Sequence, residues 1–509
     1  MIKKLHTLLS LVGIEIPLGL ENPFINSICS DSRNLRKGCL FFGLPGEKVN
    51  GGTFLHDAFL GGAAAAVVDS SSIDFIPAAY QELVVVVPDQ VCECMGELAA
   101  AFWEYPTSKI DLIGVTGTNG KTTTTLLIEH LSAKGGMPTA LLGTLFNRWP
   151  NYSETATHTT ALADTLQLQL AKAVGEGARL GIMEVSSHAL SQRRVAGCRF
   201  SASVFTNLTQ DHLDYHESME AYFEAKALLF RSPLLKAEKQ KRVIINIDDI
   251  WGNRLSKRLG KICWEASLDE NTIKSGRPDL FITDIECHAS GAKGILHSPY
   301  GKGSFQSPLI GRFNLMNLLQ AVGVLLQHDF VLEELLNSIN DFDGVPGRME
   351  QIRVKNIDNL INMPTVIVDY AHTPDGLKNA LIASRPLASK KLICVFGCGG
   401  DRDKGKRPKM GSIASQLADS LIITSDNPRT ENPQQIIEDV RKGILINADV
   451  IVETDRATAI DLAISNSSPG DVILIAGKGH EDYQILGDTK VHFEDREKVR
   501  ESLLNNFCS

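Results

Sequence analysis

The sequence predicts an α/β protein of about three domains, and three observations carry that prediction. At 509 residues the chain is too long for one hydrophobic core, since domains average about 150 residues. Short apolar runs alternate with helical patterns over most of its length, which is the signature of βαβ units and mostly parallel sheets. One strand, residues 112–115, runs directly into a glycine-rich turn and a threonine-rich helix start in DLIGVTGTNGKTTTT, residues 111–125. Turn-rich joints divide the chain into 1–108, 109–345 and 346–509.

The N-terminus, MIKKLHTLLSLVGIEI, places two lysines before an apolar run, as a signal peptide does. Glu15 interrupts the run and no small-residue cleavage site follows, whereas Leu5, Leu8, Leu9 and Val12 share helical spacing, so an amphipathic helix is expected. Strands follow at 40–42, 64–68 and 83–87 between glycine-rich turns, then a helix from 91 to 105 that stops at Pro106. Thr107 and Ser108 link it to the strand at 112–115. Further strands are expected at 141–142, 180–185, 203–206 and 243–247, with a helix over 218–230. The joint DGVPG, 343–347, precedes strands at 366–368, 392–396, 421–424 and 472–476, again alternating with helices. There is no internal repeat and no low-complexity tract.

Composition is that of a globular chain, 43% hydrophobic and 22% charged. A net charge of −9 spread along the chain argues against nucleic acid or an anionic membrane as the main partner, although a cleft lined with positive charge still suits an acidic substrate. No apolar run approaches the roughly 20 residues needed to span a bilayer. The ten cysteines are scattered without a Cys-x-x-Cys pair, which fits reduced thiols in a cytoplasmic protein.

The turn at 117–122 is a phosphate cradle. Gly117 and Gly120 let backbone N–H groups face phosphate oxygens, Lys121 brings a charge for the β/γ-phosphates, and the Thr122 hydroxyl can ligate Mg²⁺ at a helix N-terminus. An ordinary strand-to-helix turn would not need both the lysine and the hydroxyl. The common P-loop spacing asks for glycine where Val115 stands. Glu184, closing the strand in MEVSSHAL, sits where a Mg²⁺ ligand belongs in a parallel sheet, or is a solvated strand-end glutamate. In TNLTQDHLDYH, His212 and His216 are spaced i, i+4, but Leu213 holds the place where a zinc protease needs glutamate. Lys226 in FEAKALLF, taken alone, reads as a snorkelling surface lysine.

The short loop GTNGKT resembles that of the ATP-dependent Mur ligases and their folylpolyglutamate synthase relatives. GTNGKTTTT, MEVSSHAL, SVFTNLTQDHLDYH, EAKALLF, LIGRFNLMN, GVPGRME, VDYAHTPDGL, FGCGGDRDKGKRP, SDNPRTENP and AGKGHEDYQ occur in the order found in the tripeptide-synthetase branch of the Mur ligase family. That resemblance covers nearly the whole chain. It implies an N-terminal UDP-binding α/β domain, a central ATPase domain and a C-terminal Rossmann-like α/β domain. It also implies ATP contacts at Gly117, Thr118, Asn119, Gly120, Lys121, Thr122, Thr123, Asn314, Arg348 and Asp369, with His372 in the same strand-end motif. Mg²⁺ would be held by Thr122, Glu184, His212 and a Lys226 carbamylated by CO₂, and Lys121, Lys226, His212 and Arg348 would be catalytic.

By the same resemblance Ser32, Thr159, Thr160, Ser186, Gln192 and Arg194 contact UDP-N-acetylmuramoyl-L-alanyl-D-glutamate, with Glu47, Lys48, Val49 and His158 at positions where the family varies. Arg402, Asp426, Asn427, Pro428, Arg429, Gly477 and Glu481 would form the amino-acid pocket, DNPR resembling the signature for meso-diaminopimelate. A buried Arg429 fork, left unpaired by lysine, would cost about 3–5 kcal/mol, a roughly hundredfold to several-thousandfold preference. The implied enzyme is a cytoplasmic monomer of peptidoglycan precursor synthesis with no nucleic-acid partner and no stable membrane anchor. It activates the D-glutamyl γ-carboxylate as an acyl phosphate. Against the rivals, the UDP-domain motif and DNPR disfavour other ligases of the superfamily, and no Asn-Lys-x-Asp guanine signature supports a GTPase switch. Lys121, Glu184, Lys226 and Arg348 are all retained, as a binding-only descendant need not do.

Overall fold

The computed structural model describes residues 1–46, 49–88, 90–236, 242–288, 291–354 and 363–507, and its backbone is α/β, as the alternation of patterns requires. Chain contacts group it into two units. The first comprises Met1–Thr116, Ser132–Val204 and Glu224–Val243, the second Gly117–Leu131, Phe205–Phe223 and everything from Ile244 onward. The central part of the sequence is therefore shared between them.

In the first unit, strands Ser27–Cys29, Cys39–Gly43, Ala65–Asp69 and Val84–Val87 form a four-stranded parallel sheet in that order. Two of them are buried throughout because helices cover both faces. Leu40, Phe42, Ala65, Val67, Val85 and Val87 pack with Leu5, Leu8 and Leu9 of helix Leu5–Leu11 and with helix Val91–Phe102. Phe41, Ala66, Val68 and Val84 face helix Leu55–Leu60. Val12 ends the first helix as its C-cap instead of extending it. Strand Asp111–Thr116 lies parallel to Leu180–Glu184, Ile113 opposite Ile182, and Thr139–Leu142 continues the sheet. An antiparallel hairpin, Phe146–Trp149 and Tyr152–Thr155, extends its edge.

The second unit contains a sheet ordered Glu350–Gln351, Thr365–Asp369, Val472–Ala476, Leu392–Phe396, Ser420–Ile423, Val450–Val452. All but the first strand are parallel. Ile367, Leu392, Cys394, Phe396, Leu421, Ile423 and Leu474 form one core face under helices Pro374–Ser384, Lys406–Leu417 and Pro433–Arg441. Val366, Val368, Val395, Ile422, Ile473 and Ile475 form the other, under Arg456–Ser465 and Asp495–Phe507. Because β-strand side chains alternate, each strand supplies both layers. The carboxyl ends of these strands, where open α/β sheets bind ligands, carry residues 369–372, 397–402, 424–429 and 477–481. The unit also holds an antiparallel run, Leu280–His288, Gly291–Ser298 and Gly301–Ser307, and the almost wholly buried helix Arg312–Leu326.

Candidate active site

The phosphate loop of the second unit takes its shape from two glycines and a brace. Gly117 (φ 154°) has no room for a side chain, because a Cβ would stand 1.8 Å from Thr206 Oγ1, and at Gly120 (φ 87°) a Cβ would meet Asn317 Oδ1 at 2.4 Å. The TNLTQ segment fixes the rest. Asn119 N–H donates to Asn207 Oδ1 (2.9 Å), Thr206 Oγ1 and Asn207 Nδ2 donate to Asn119 O (2.6 and 3.1 Å), and Thr118 N–H donates to Asn207 O (2.9 Å). The bracing role of Asn207 could not be read from its motif, since it acts on groups 88 positions away. Lys121 Nζ lies over the loop, donating to the carbonyls of Gly117 and Thr118 at 2.9 Å each. Thr122 and Thr123 are buried in the first turn of helix Lys121–Lys134.

A cavity of about 410 Å³ opens on this loop. Asn119, Gly120, Thr122 and Thr123 line one side, Asn314 another, and Arg348 and Asp369 a third, so most of the expected ATP contacts face one space. Arg348 lies with its guanidinium 4.2 Å from the Tyr370 ring centroid, a cation–π contact. Its buried Nε has no hydrogen-bond partner among the described residues, and an unpaired buried donor calls for an acceptor. Asp369 accepts from the N–H groups of Met349 (2.7 Å) and Ala371 (2.8 Å). Burial raises its pKa, and Arg348 and these hydrogen bonds only partly offset that. Asp211 is opposite in sign. Burial works against its carboxylate, but His372, 3.9 Å away, His212, 3.3 Å away, and Lys406 together hold it well below the usual range. His212 itself is half-buried in a left-handed conformation (φ 54°).

Of the expected amino-acid pocket residues, Asp426 to Arg429, Gly477 and Glu481 lie at the carboxyl ends of strands Ser420–Ile423 and Val472–Ala476, and Arg402 beyond that of Leu392–Phe396. Asp426, Asn427 and Pro428 are buried. Asn427 Nδ2 donates to Glu481 Oε2 at 2.8 Å, and at Gly477 (φ 122°) a Cβ would meet Asp426 Oδ2 at 2.5 Å. One feature departs from expectation. Arg429 is half-buried, not buried, because it follows Pro428 in a left-handed turn (φ 51°) and sends Nη1 to Gly400 O at 2.7 Å. Arg402 is exposed, its Nη1 on the carbonyl of Asp401.

The first unit gathers the residues expected on the sugar-peptide side. Glu184 Oε1 accepts from Thr144 N–H (2.8 Å) and Oε2 from Thr144 Oγ1 (3.0 Å), while Thr144 Oγ1 also bonds Thr159 Oγ1 (3.1 Å). Thr160 Oγ1 donates to Glu184 O (2.9 Å) and accepts from Ser186 N–H (3.1 Å); Arg194 donates to Thr160 O and, through two nitrogens, to Gln192 Oε1. Glu184 is therefore a buried, hydrogen-bonded carboxylate, not a solvated strand end. Thr144 is its partner across 40 residues, which no local pattern announced. Ser32 begins a short 3₁₀ turn, and neighbouring Ser30 donates through N and Oγ to Asp164 Oδ2 (3.0 and 2.8 Å). His158 and Val49 are exposed; Glu47 and Lys48 lie outside the described residues. Lys226 is 1% exposed in helix Met219–Ala227, not the surface lysine its isolated sequence suggested. Thr122 and His212 belong to one unit, Glu184 and Lys226 to the other.

Three family descriptions match successive parts of the chain: Mur ligase family, catalytic domain, over 24–103; Mur ligase middle domain, over 115–325; and Mur ligase, glutamate ligase domain, over 347–479. A protein of Prochlorococcus marinus (strain MIT 9313) named UDP-N-acetylmuramoyl-L-alanyl-D-glutamate--2,6-diaminopimelate ligase is 60% identical over 503 residues, covering 99% of each chain. One of the same name from Parasynechococcus marenigrum (strain WH8102) is 57% identical over 501 residues, covering 98% of this chain and 99% of its own. A solved structure with that name is 34% identical, with a TM-score of 0.68 over 99% of both chains. The chain belongs to the Mur ligase family, with its N-terminal, central and C-terminal domain architecture.

Proposed function

We propose that the chain is an ATP-dependent ligase that joins meso-diaminopimelate to the D-glutamyl γ-carboxylate of UDP-N-acetylmuramoyl-L-alanyl-D-glutamate in peptidoglycan precursor synthesis. The observation that carries this reading, beside the family, is the cavity on which the phosphate loop, Asn314, Asp369 and the unpaired Arg348 donor converge. A γ-carboxylate oxygen attacks the terminal phosphorus of ATP and ADP leaves. The amine of diaminopimelate then adds to the acyl carbon, loses a proton, and the tetrahedral centre expels inorganic phosphate. Both partners of the first step are anionic, so the residues must supply positive charge. Lys121 and Arg348 take that role, and the Gly117–Thr123 backbone orients the phosphates.

Mg²⁺ is assigned to Thr122, Glu184, His212 and a carbamylated Lys226, as the family resemblance implies. Among the described residues no three His, Cys, Asp or Glu side chains gather as a metal site, but Mg²⁺ commonly takes one or two carboxylates and fills the rest with water and substrate phosphates. The Thr122 hydroxyl and the Glu184 carboxylate are oxygen donors of the kind that ion takes. Lys226 fits only as a carbamate, since an ammonium repels the ion; His212 completes the assigned ligands. When bound, the metal neutralises phosphate charge. Ser32, Thr159, Thr160, Ser186, Gln192 and Arg194 are assigned to the sugar-peptide, and Asp426, Asn427, Pro428, Arg429, Gly477, Glu481 and Arg402 to diaminopimelate. Domain limits of 1–108, 109–345 and 346–509, a monomeric state and a cytoplasmic location complete the proposal; among the described residues no helix is long and apolar enough to cross a membrane.

Phosphate release with ATP, the UDP-dipeptide and a panel of amino acids tests it. Release is expected only with all three substrates present and fastest with meso-diaminopimelate. Release without an amino acid, or equal kcat/KM for L-lysine, overturns the assignment.

A further inference from the structure

Lys478 lies between Gly477 and Glu481, two residues of the amino-acid pocket. In the structure its side chain is 0% exposed. Removing an ammonium from water is costly unless the partners compensate, and both partners lie in the amino-acid pocket. Lys478 Nζ stands 3.3 Å from Asn427 Oδ1 and 3.2 Å from Glu481 Oε2, and 5.5 Å from the centroid of Tyr483. Asn427 Oδ1 also accepts from Ile485 N–H at 3.0 Å. With two donors on that oxygen the amide has one sensible orientation, and its Nδ2 points at Glu481 Oε2, 2.8 Å away.

The lysine ammonium and the amide thus close on one oxygen of Glu481, Oε2, while no hydrogen bond from the described residues reaches its Oε1. We propose that Lys478 is a positioning residue for the amino-acid substrate. Its ammonium locks Asn427 and Glu481 so that the outer carboxylate oxygen is aimed to accept from an ammonium group of the incoming diamino acid. The proposal rests on the assignment of this pocket to the amino acid. It differs from a purely structural role in one respect: a lysine that merely holds two loops together would affect every substrate alike.

The test is a set of initial-rate measurements on the full-length enzyme with Lys478→Met, Glu481→Gln and the double variant. Lys478→Met is expected to raise KM for meso-diaminopimelate about tenfold or more while leaving KM for ATP and for the UDP-dipeptide within about twofold. The double variant should be no worse than Glu481→Gln alone, because residues that act through one contact are not additive. A diaminopimelate KM unchanged in Lys478→Met, equal rises in all three KM values, or multiplicative effects in the double variant overturn the proposal. If Glu481→Gln also leaves that KM unchanged, the pocket assignment falls with it; if Glu481→Gln raises KM and Lys478→Met does not, the positioning role alone falls. Should Lys478→Met fail to fold, Lys478→Gln, which keeps a donor without the charge, carries the same comparisons.

Discussion

Arg429 shows how a single backbone conformation sets the strength of a specificity contact. A left-handed arginine costs about 1–2 kcal/mol, and the structure holds it there through Arg429 N–H to Ile485 O (3.1 Å) and Gly487 N–H to Arg429 O (2.9 Å). Held that way, the guanidinium is half-buried and already bonded to Gly400 O. Water and that carbonyl soften the loss of a carboxylate partner, so the buried-charge cost drops to about 1–3 kcal/mol, a roughly tenfold to hundredfold preference for diaminopimelate over lysine. Arg429→Ala should lose most of that ratio in kcat/KM; a variant that keeps it would remove Arg429 from the pocket. Lys226 makes the complementary case. Its 1% exposure suits a side chain put to use inside the protein, and Lys226→Ala is expected to lose most activity. Bicarbonate should not restore the variant, whereas acetate should restore part. A fully active Lys226→Ala enzyme would end the carbamate assignment.

The C-terminal helices are tied to the pocket strands by one buried ion pair. Arg456 opens helix Arg456–Ser465 and Asp495 opens Asp495–Phe507; both side chains are 0% exposed and meet bidentately at 2.7 Å. The same guanidinium donates to Ser425 O (3.3 Å) and Ala476 O (3.1 Å), the residues just before Asp426 and Gly477. Asp495→Asn leaves a buried cation short of its partner, at about 3–5 kcal/mol, or roughly 5–15 °C in the unfolding midpoint. Arg456→Met with Asp495→Leu should cost clearly less than the sum of the single changes, and simple additivity in thermal melts would refute the coupling. This pair had no sequence signal, nor did Thr144, and the motifs that hold Asn207 and Lys478 did not reveal their contacts with Asn119 and Asn427, partners brought near only by folding. Strands Leu392–Phe396 and Val472–Ala476 were legible to the residue, being continuous apolar runs buried on both faces. The hairpin strand Tyr152–Thr155, exposed at every position, and the antiparallel run from Leu280 to Ser307 carried no such pattern and went unread.

For the molecule as a whole, linear boundaries at 108 and 345 express chain order, whereas each of the two units is assembled from separated segments, which only the folded contacts reveal. Charge titration follows the folded assembly in the same way. In the second unit His480 packs 4.9 Å from the Tyr370 ring, with no hydrogen-bond partner on Nδ1 among the described residues. Burial first, then the charges of Arg348, Arg496, His372 and Lys478, push its pKa down to about 3. The unfolded chain binds that proton near pH 6.5 and the folded one only near 3, so stability falls as pH drops through this interval. Glu431 adds to the same limb. The hydrogen bond from Arg407 pulls its carboxyl down to about 2, so its contribution, complete above about pH 4.5, is lost toward about pH 2. Acid destabilisation should therefore begin near pH 6.5, before ordinary carboxylates titrate. His480→Gln should flatten the melting temperature between about pH 4.5 and 6.5 while leaving the steeper fall below about 4.5, which Glu431→Gln should reduce. Melting temperatures across roughly pH 2–8 for the parent and both variants decide it: a parent curve flat down to about pH 4.5, or one unchanged by His480→Gln, contradicts the buried neutral imidazole as the origin of that first loss.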